Sequence, residues 1–159
     1  MTVAIRAAEA ADIPALADLA SRTWLDAFGA TVSPVNAATE TAEGRSEERF
    51  REALAERTIL VADDDGALVG YVEFDDVELN RLYVETALQG RGIGRALLDA
   101  ALAHPRLARA PRVRVQVWDE NARAVRLYES AGFRRVGTTR FAIGSEIVED
   151  AVFELERRR

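Results

Sequence analysis

Cysteine and lysine are missing from this sequence of 159 residues, and histidine occurs only once, at His104. The absence of cysteine excludes disulfide bonds, cysteine-ligated metals and a thiol nucleophile. His104 precedes Pro105 and has no nucleophile motif nearby, which argues against a Ser-His-Asp triad and against a zinc site built on histidines. We therefore expect no bound metal.

Long apolar runs are also missing. No segment approaches the roughly 18 apolar residues of a membrane-spanning helix. The first residues, MTVAIRAAEAADIP, lack the basic segment and the apolar stretch of a signal peptide. The net charge is −6, and the terminal arginines 157–159 are too few to give a general affinity for nucleic acid. We expect a cytoplasmic protein that binds neither membranes nor nucleic acid.

The composition is that of an ordinary folded domain. Apolar residues make up 48% of the chain and charged residues 30%, which argues against disorder. The length suits one domain, and we find no repeat, linker or low-complexity tract. We therefore predict a single domain that spans residues 1–159.

Hydrophobic periodicity and turn chemistry predict the order β-α-α-β-β-β-α-β-α-β-β, which is an α+β (mixed α/β) fold. Asp12 and Ser46 are candidate caps of the first two helices, and Gly132 is the candidate C′ residue of the last helix. Segment 29–44 shows no period and is predicted to be a loop. The predicted strands are 3–6, 58–62, 67–74, 77–84, 113–118, 133–139 and 150–155, and the last two helices are 93–103 and 121–131.

The segment QGRGIGR, residues 89–95, is the most informative part of the chain. It lies between a predicted strand and a predicted helix, where glycines expose backbone N–H groups and the helix N-terminus adds partial positive charge. Such a turn suits a phosphate or a pyrophosphate. Arg95 stands where a Rossmann motif needs its last glycine, and no GK[ST] of a Walker loop is present. A turn that merely connects the two elements is the alternative.

Two runs resemble the sequence motifs of the GNAT superfamily of N-acetyltransferases. LNRLYVETALQGRGIGRALLDAAL resembles its acetyl-CoA motif, and VQVWDENARAVRLYESAGF resembles the motif that follows it. RFAIGSEIVEDAVFELE is similar to the closing pair of strands. The matched positions are Gln89, Gly92 and Gly94 in the first motif, and Asn121, Ala124, Tyr128, Gly132 and Phe133 in the second.

The resemblance implies a fold and a co-substrate. The fold is a central mixed, mostly antiparallel sheet of about six to seven strands, with splayed middle strands and about four flanking helices. The co-substrate is acetyl-CoA, whose pantetheine arm pairs with the main chain of the opened strand. The implied binding residues are Leu82, Tyr83 and Val84 on that strand, Gln89, Gly90, Arg91, Gly92, Ile93, Gly94 and Arg95 in the turn, and Asn121, Ala124 and Tyr128 beyond it.

Acetyl transfer to an amine needs a proton acceptor for the ammonium and a proton donor for the departing thiolate. Tyr128 occupies the family's tyrosine position and is the predicted donor; packing against the sheet is its alternative role. Glu78, eleven positions before Gln89, matches the base of the histone-acetyltransferase branch, acting directly or through a water. Glu73 is the second candidate, and a solvent-facing strand residue is the alternative for Glu78.

The acceptor is the least specified part of the prediction. Trp24 and Phe28 lie where the family forms its acceptor pocket, although their helical spacing equally suits core packing. TWLDAFG, RLYV and the closing strands are similar to bacterial spermidine/spermine-type acetyltransferases, but Phe153 replaces a methionine that is usual there. We expect a primary amine, polyamine-like in character. A protein N-terminus or lysine as acceptor, a sensor that binds acetyl-CoA without turnover, and a homodimer stay open.

Overall fold

A computed structural model of the chain describes residues 2–157. Seven strands form one sheet in the order β1-β2-β3-β4-β5-β7-β6, with six helices packed on its two faces. The strands are β1 Val3–Ala7, β2 Thr58–Asp64, β3 Ala67–Phe74, β4 Glu78–Val84, β5 Arg112–Trp118, β6 Arg134–Ile143 and β7 Glu146–Glu156. The helices are α1 Ile13–Phe28, α2 Pro34–Gly44, α3 Glu47–Glu56, α4 Ile93–Ala103, α5 Pro105–Ala108 and α6 Ala122–Ser130.

The centre of the sheet contains its one parallel pair, formed by β4 and β5. All the other neighbouring strands in the described sheet are antiparallel. The pairing of β4 with β5 covers only Glu78 with Arg114 and Leu79 with Val115, so the two strands diverge towards their C-terminal ends. The predicted fold class, a mostly antiparallel seven-stranded sheet with splayed middle strands, is confirmed.

A β-bulge lies at the point where β4 leaves β5. Glu73 pairs with Arg81 and Phe74 pairs with Leu79, so Asn80 is an extra residue on β4. A bulge bends its strand and resets the alternation of side chains. As a result, both Leu79 and Leu82 pack into the same core, although their spacing is odd. The bulge therefore helps to turn the end of β4 away from β5.

The core lies on both faces of the sheet. One layer, against α4, α5 and α6, buries Phe74, Leu97, Val113 and Phe153 among others. The other layer, against α1 and α3, buries Leu16, Leu19, Phe50, Val61 and Tyr71 among others. Removing a large side chain of this kind costs about 2 to 5 kcal/mol, so the two layers contribute much of the stability of the sheet around the opening between β4 and β5.

Three predicted helix signals can be compared directly with the structure. The Ser46 hydroxyl accepts a hydrogen bond from the Arg49 N–H at 3.1 Å, and α3 begins there as predicted. Gly132 follows α6 with φ +98°, as expected for a C′ glycine. Asp12 directly precedes α1, and its carboxylate binds Arg6 at 2.8 Å. Asp12 is thus the N-cap residue of α1, as predicted, but the capping hydrogen bond expected from its side chain is not formed.

The predicted loop 29–44 is also wrong, because residues 34–44 form α2. The Ser33 hydroxyl accepts the Asn36 N–H at 3.2 Å, and Pro34 suits the first helical turn. Only Asn36 and Ala37 are buried in this helix, so its apolar period was too weak to detect. With the short α5 after Pro105, there are six helices rather than about four. Within residues 2–157, no helix combines the length and apolarity needed to cross a membrane.

Candidate active site

Two cavities meet where β4 and β5 diverge. The glycine cleft, about 470 Å³, lies between the 89–95 turn, the end of β4 and the start of α6. The aromatic cavity, about 320 Å³, is lined by Trp24, Phe28 and Trp118 together with a set of charged side chains. The residues that line both cavities are Leu82, Tyr83, Trp118, Asn121, Ala124 and Tyr128. A molecule in one cavity can therefore reach a molecule in the other at these shared residues.

The wall of the glycine cleft is the N-terminus of α4. Gly92 is the N-cap residue, with φ +84° and no side chain to cap the helix. The first N–H groups of a helix have no acceptor within it and carry partial positive charge. A Cβ added at Gly92 would meet no atom within 4 Å, so the space in front of these groups is open. The residues of this turn fit a phosphate group.

Most of the residues predicted for the turn line the glycine cleft, namely Gln89, Gly90, Gly92, Ile93, Gly94 and Arg95. Arg91 is not among the lining residues. Sequence reasoning missed Arg123, whose Nη1 atom would lie 3.3 Å from a Cβ at Gly90. Its position two residues after Asn121, inside a recognised motif, was the only signal, and a charge on a helix is usually just solvated.

The exposed end of β4 contributes main chain to both cavities. Leu82, Tyr83 and Val84 have no partner on β5, since the parallel pairing ends at Leu79. Buried or half-buried peptide groups need hydrogen-bond partners, so an extended ligand in the gap between the strands would satisfy them. Gln89 donates from its side-chain amide to the Val84 carbonyl at 3.5 Å, which connects the turn to the strand end.

Tyr128 is the central shared residue. Its side chain is only 4% exposed and packs edge-on against Phe133, with ring centroids 5.5 Å apart, yet it lines both cavities. Burial, with a smaller contribution from Tyr83, raises the pKa of Tyr128 above its usual range. The phenol therefore keeps its proton near neutral pH and can donate a hydrogen bond. Packing and a role at the site are compatible here, because the ring is held by the core and the residue faces both cavities.

The two predicted bases are placed differently. Glu78 lines the aromatic cavity and accepts a hydrogen bond from the Gln116 amide at 3.3 Å. Burial and, secondarily, the Asp75 carboxylate raise the pKa of Glu78 above its usual range. The Glu73 carboxylate is 1% exposed, binds Arg57 at 2.6 Å and lines neither cavity. The structure thus brings Glu78 to the aromatic cavity and leaves Glu73 outside it.

Trp24 and Phe28 line the aromatic cavity and also pack in its wall. Their ring centroids are 5.7 Å apart, and Phe28 lies 5.3 Å from Trp118 on β5. Trp24 is only 3% exposed, so packing is part of its role. Trp118, which sequence reasoning missed, joins this aromatic wall to the residues shared with the glycine cleft.

Charged side chains also line the aromatic cavity, and sequence reasoning missed most of them. Arg45 lies over the Trp24 ring at 5.0 Å and pairs with Glu40. Arg81 donates to the Gly44 carbonyl at 2.9 Å. The remaining charged lining residues are Arg57, Glu78 and Asp150. These residues come from distant parts of the chain, so no local pattern could have grouped them.

The whole fold is similar to that of solved acetyltransferase structures. The PaiA N-acetyltransferase of Thermoplasma acidophilum, solved in complex with coenzyme A, matches with a TM-score of 0.84 at 22% identity. The match covers 99% of this chain and 100% of that one. This likeness establishes that the two chains share a fold.

Sequence relatives are more specific. An uncharacterised N-acetyltransferase of Mycobacterium tuberculosis is 36% identical over 152 residues, which cover 91% of this chain and 97% of that protein. Mycothiol acetyltransferase of Beutenbergia cavernae is 45% identical over 83 residues, 48% of this chain and 28% of that protein. Spermine/spermidine N(1)-acetyltransferase of Bacillus subtilis is 30% identical over 90 residues, 48% of this chain and 59% of that protein. The spermidine type is thus one of several distant relatives.

Residues 30–149, three quarters of the chain, match the family described as acetyltransferase (GNAT) domain. The near full-length relative in Mycobacterium agrees with that match. The chain therefore belongs to the GNAT family of acetyltransferases.

Proposed function

We propose that this protein transfers an acetyl group from acetyl-CoA to the primary amine of a small molecule, with both substrates bound at once. The observation that carries the proposal is the meeting of the two cavities at the diverging ends of β4 and β5. The amine would attack directly from the aromatic cavity, without a covalent enzyme intermediate. The absence of cysteine from the sequence agrees with direct attack.

The glycine cleft is the proposed site of the co-substrate. The open N-terminus of α4 at Gly92 would hold the pyrophosphate, with Arg95 and Arg123 as cations in the same cleft. At 82–84, the side of β4 that faces away from β3 has no partner strand and would bind the pantetheine arm, and the N–H of Val84 would stabilise the oxyanion. Bound acetyl-CoA supplies the thioester; the N–C bond to the acceptor forms first, and the C–S bond then breaks as the thiol leaves.

Tyr128 is the proposed proton donor to the departing sulphur. It stays neutral because its pKa is raised, and it lies between the two cavities, where the sulphur would leave. Glu78 is the base that the family resemblance implies. It lies four residues before Leu82, which is roughly 12 Å along a strand, so it would act through a water.

The charges of the aromatic cavity bear on the choice of acceptor. Glu78 and Asp150 are acids that would attract an ammonium group. Arg45 forms an ion pair with Glu40, and Arg57 forms one with Glu73. The Arg81 side chain instead donates a hydrogen bond to a neutral acceptor, the Gly44 carbonyl. A polyamine would place its second ammonium group beside this set of acidic and basic side chains. The polyamine-like acceptor therefore stays a prediction, to be tested against amines without a second charge.

The test is a panel of amines assayed for acetyl-CoA-dependent thiol release. The panel contains spermidine, a monoamine with a neutral body, an amino acid and a peptide with a free N-terminus, with a reaction lacking amine as the control. We expect amine-dependent release and a matching N-acetylated product. Binding of coenzyme A, measured as a rise in melting temperature, without release for any amine would instead support a sensor.

The ionic strength of the assay separates polyamines from other acceptors. If the cavity attracts a polycation, the Michaelis constant for spermidine should rise with salt more steeply than that for the monoamine, because salt screens exposed charges. Equal constants for both amines, with equal salt dependence, would remove polyamines as the acceptor class.

A further inference from the structure

Asp150 lies at the end of the aromatic cavity nearest the glycine cleft. Asp150 lies on β7 and pairs directly with Trp118 on β5. Directly opposed residues of an antiparallel pair project from the same face of the sheet. Trp118 lines both cavities, and Asp150 lines the aromatic cavity beside it. The Asp150 carboxylate is therefore near the place where amine and thioester would meet.

Glu78 lines the same cavity, but its backbone is farther from Trp118. It pairs with Arg114, where β4 and β5 are still joined, four residues along β5 from Trp118. That separation is roughly 13 Å along a strand. Glu78 also accepts the Gln116 hydrogen bond, and the charges of Arg114 and Arg57 act on it. Of the two acids, Asp150 is the one beside the shared residues.

The surroundings of Asp150 favour a proton on its carboxyl. Its Oδ1 atom is enclosed and has no hydrogen-bond donor within the described chain, and this burial raises the pKa of Asp150 to about 6. On the neighbouring strands, Arg140 pairs with Glu149 and Arg135 pairs with Asp119. The titratable side chains that share its cavity are Glu40, Arg45, Arg57, Glu78, Arg81, Tyr83 and Tyr128.

We infer that Asp150 binds the ammonium group of the acceptor and takes its proton before the attack. This inference rests on the proposed function and names the base within the same site. The ammonium loses one proton to the ionised carboxylate, which leaves a neutral amine and a neutral carboxyl group. The amine lone pair is then free to form the new N–C bond. The carboxyl returns the proton to solvent through the open side of the cavity after the product leaves.

A base is most effective when its pKa lies near the working pH, because it is then largely ionised and still a useful proton acceptor. An aspartate with an ordinary pKa is too weak a base. Enclosure of the Oδ1 atom destabilises the charged carboxylate and so makes Asp150 a stronger base. Direct contact with the ammonium also removes the need for the water that Glu78 would require. Asp150 thereby combines binding and proton transfer at one position.

The experiment compares Asp150→Asn with the parent enzyme over a range of pH, using an amine that the panel identifies. In the parent, kcat/KM should rise with pH through a limb near 6. In Asp150→Asn, which has nearly the same shape but accepts no proton, that limb should vanish and kcat should fall about 10²-fold or more. Asp150→Glu should restore part of the rate. The rise in melting temperature caused by coenzyme A should be the same in both variants as in the parent. That rise also shows that the variants are folded.

The matched control is Glu149→Gln, which removes the carboxylate next to Asp150 in the sequence. Glu149 does not line the aromatic cavity and pairs with Arg140 at 3.4 Å. The Glu149→Gln enzyme should retain the parental profile. An Asp150→Asn enzyme with the parental limb and rate would overturn the inference, as would a loss of that limb in Glu78→Gln alone. A parent enzyme that acetylates no amine would instead contradict the proposed function, and the two failures are thus distinguishable.

Discussion

The glycine cleft and the aromatic cavity share the ends of β4 and β5, but their walls are built differently. One wall of the cleft is a single continuous segment, residues 89–95, with the backbone groups at the start of α4. The cavity is assembled from side chains that are far apart in sequence, such as Arg45, Trp118 and Asp150. A backbone site tolerates changes of side chain and suits a constant ligand. A site made of side chains changes with each substitution and so suits a variable acceptor.

The largest effect should come from a residue that both cavities share. Tyr128→Phe removes the phenolic hydroxyl and should lower kcat by about 10²-fold or more, while coenzyme A affinity stays within a few-fold. Tyr71→Phe is the matched control, since Tyr71 is a buried tyrosine like Tyr128, its hydroxyl has no hydrogen-bond partner within residues 2–157, and it lines neither cavity. Steady-state kinetics of the two variants decides the question. Equal activity of Tyr128→Phe and the parent would leave Tyr128 with a packing role only.

A smaller effect is expected for the binding of coenzyme A, which tests whether the backbone groups of the glycine cleft recognise it. Gly92→Val places a Cβ in the open space before α4 and should weaken coenzyme A binding by at least about tenfold, or about 1.4 kcal/mol. Gly66→Val is the control, because Gly66 in the β2–β3 turn has a similar φ of +95° and equally open surroundings. Both variants carry the same kind of backbone strain. Calorimetric titration with coenzyme A should show lost affinity in Gly92→Val alone; equal losses would contradict the phosphate site.

The smallest effect concerns stability in the aromatic cavity. The pKa of Asp150 is raised from 3.8 to about 6 in the folded chain, so between these values the folded state binds more protons than the unfolded state. Its ionisation therefore destabilises the fold as pH rises through 6. Asp150→Asn should raise the melting temperature by a few degrees more at pH 8 than at pH 5. For Glu149→Gln, the change in melting temperature should be the same at both pH values. The same change at pH 5 and pH 8 for Asp150→Asn would mean that the Asp150 carboxyl is not enclosed.

Local signals in the sequence predicted the glycine turn between β4 and α4. Gln89, Gly92 and Gly94 lie within seven residues of one another, and the helix that follows them is amphipathic, so short-range geometry is sufficient to recognise the turn. The Ser46 cap and Gly132 were likewise predictable, because capping depends on residues within one turn. α2 was missed, since its buried face is too narrow to produce a period.

The acetyltransferase family, the order of the strands along the chain and the glycine turn before α4 could be read from the sequence alone, because each follows from contiguous residues. The point where β4 leaves β5, and the choice of acids that line the aromatic cavity, depend on packing between distant segments and are visible only in the fold. The sequence favoured Glu78 over Glu73 only through its spacing to Gln89, whereas the fold shows that Glu73 is enclosed with Arg57 and that Glu78 lines the cavity. Asp150 reaches the shared residues through its register with Trp118, more than thirty residues away in the chain, and its pKa follows from burial that only packing creates.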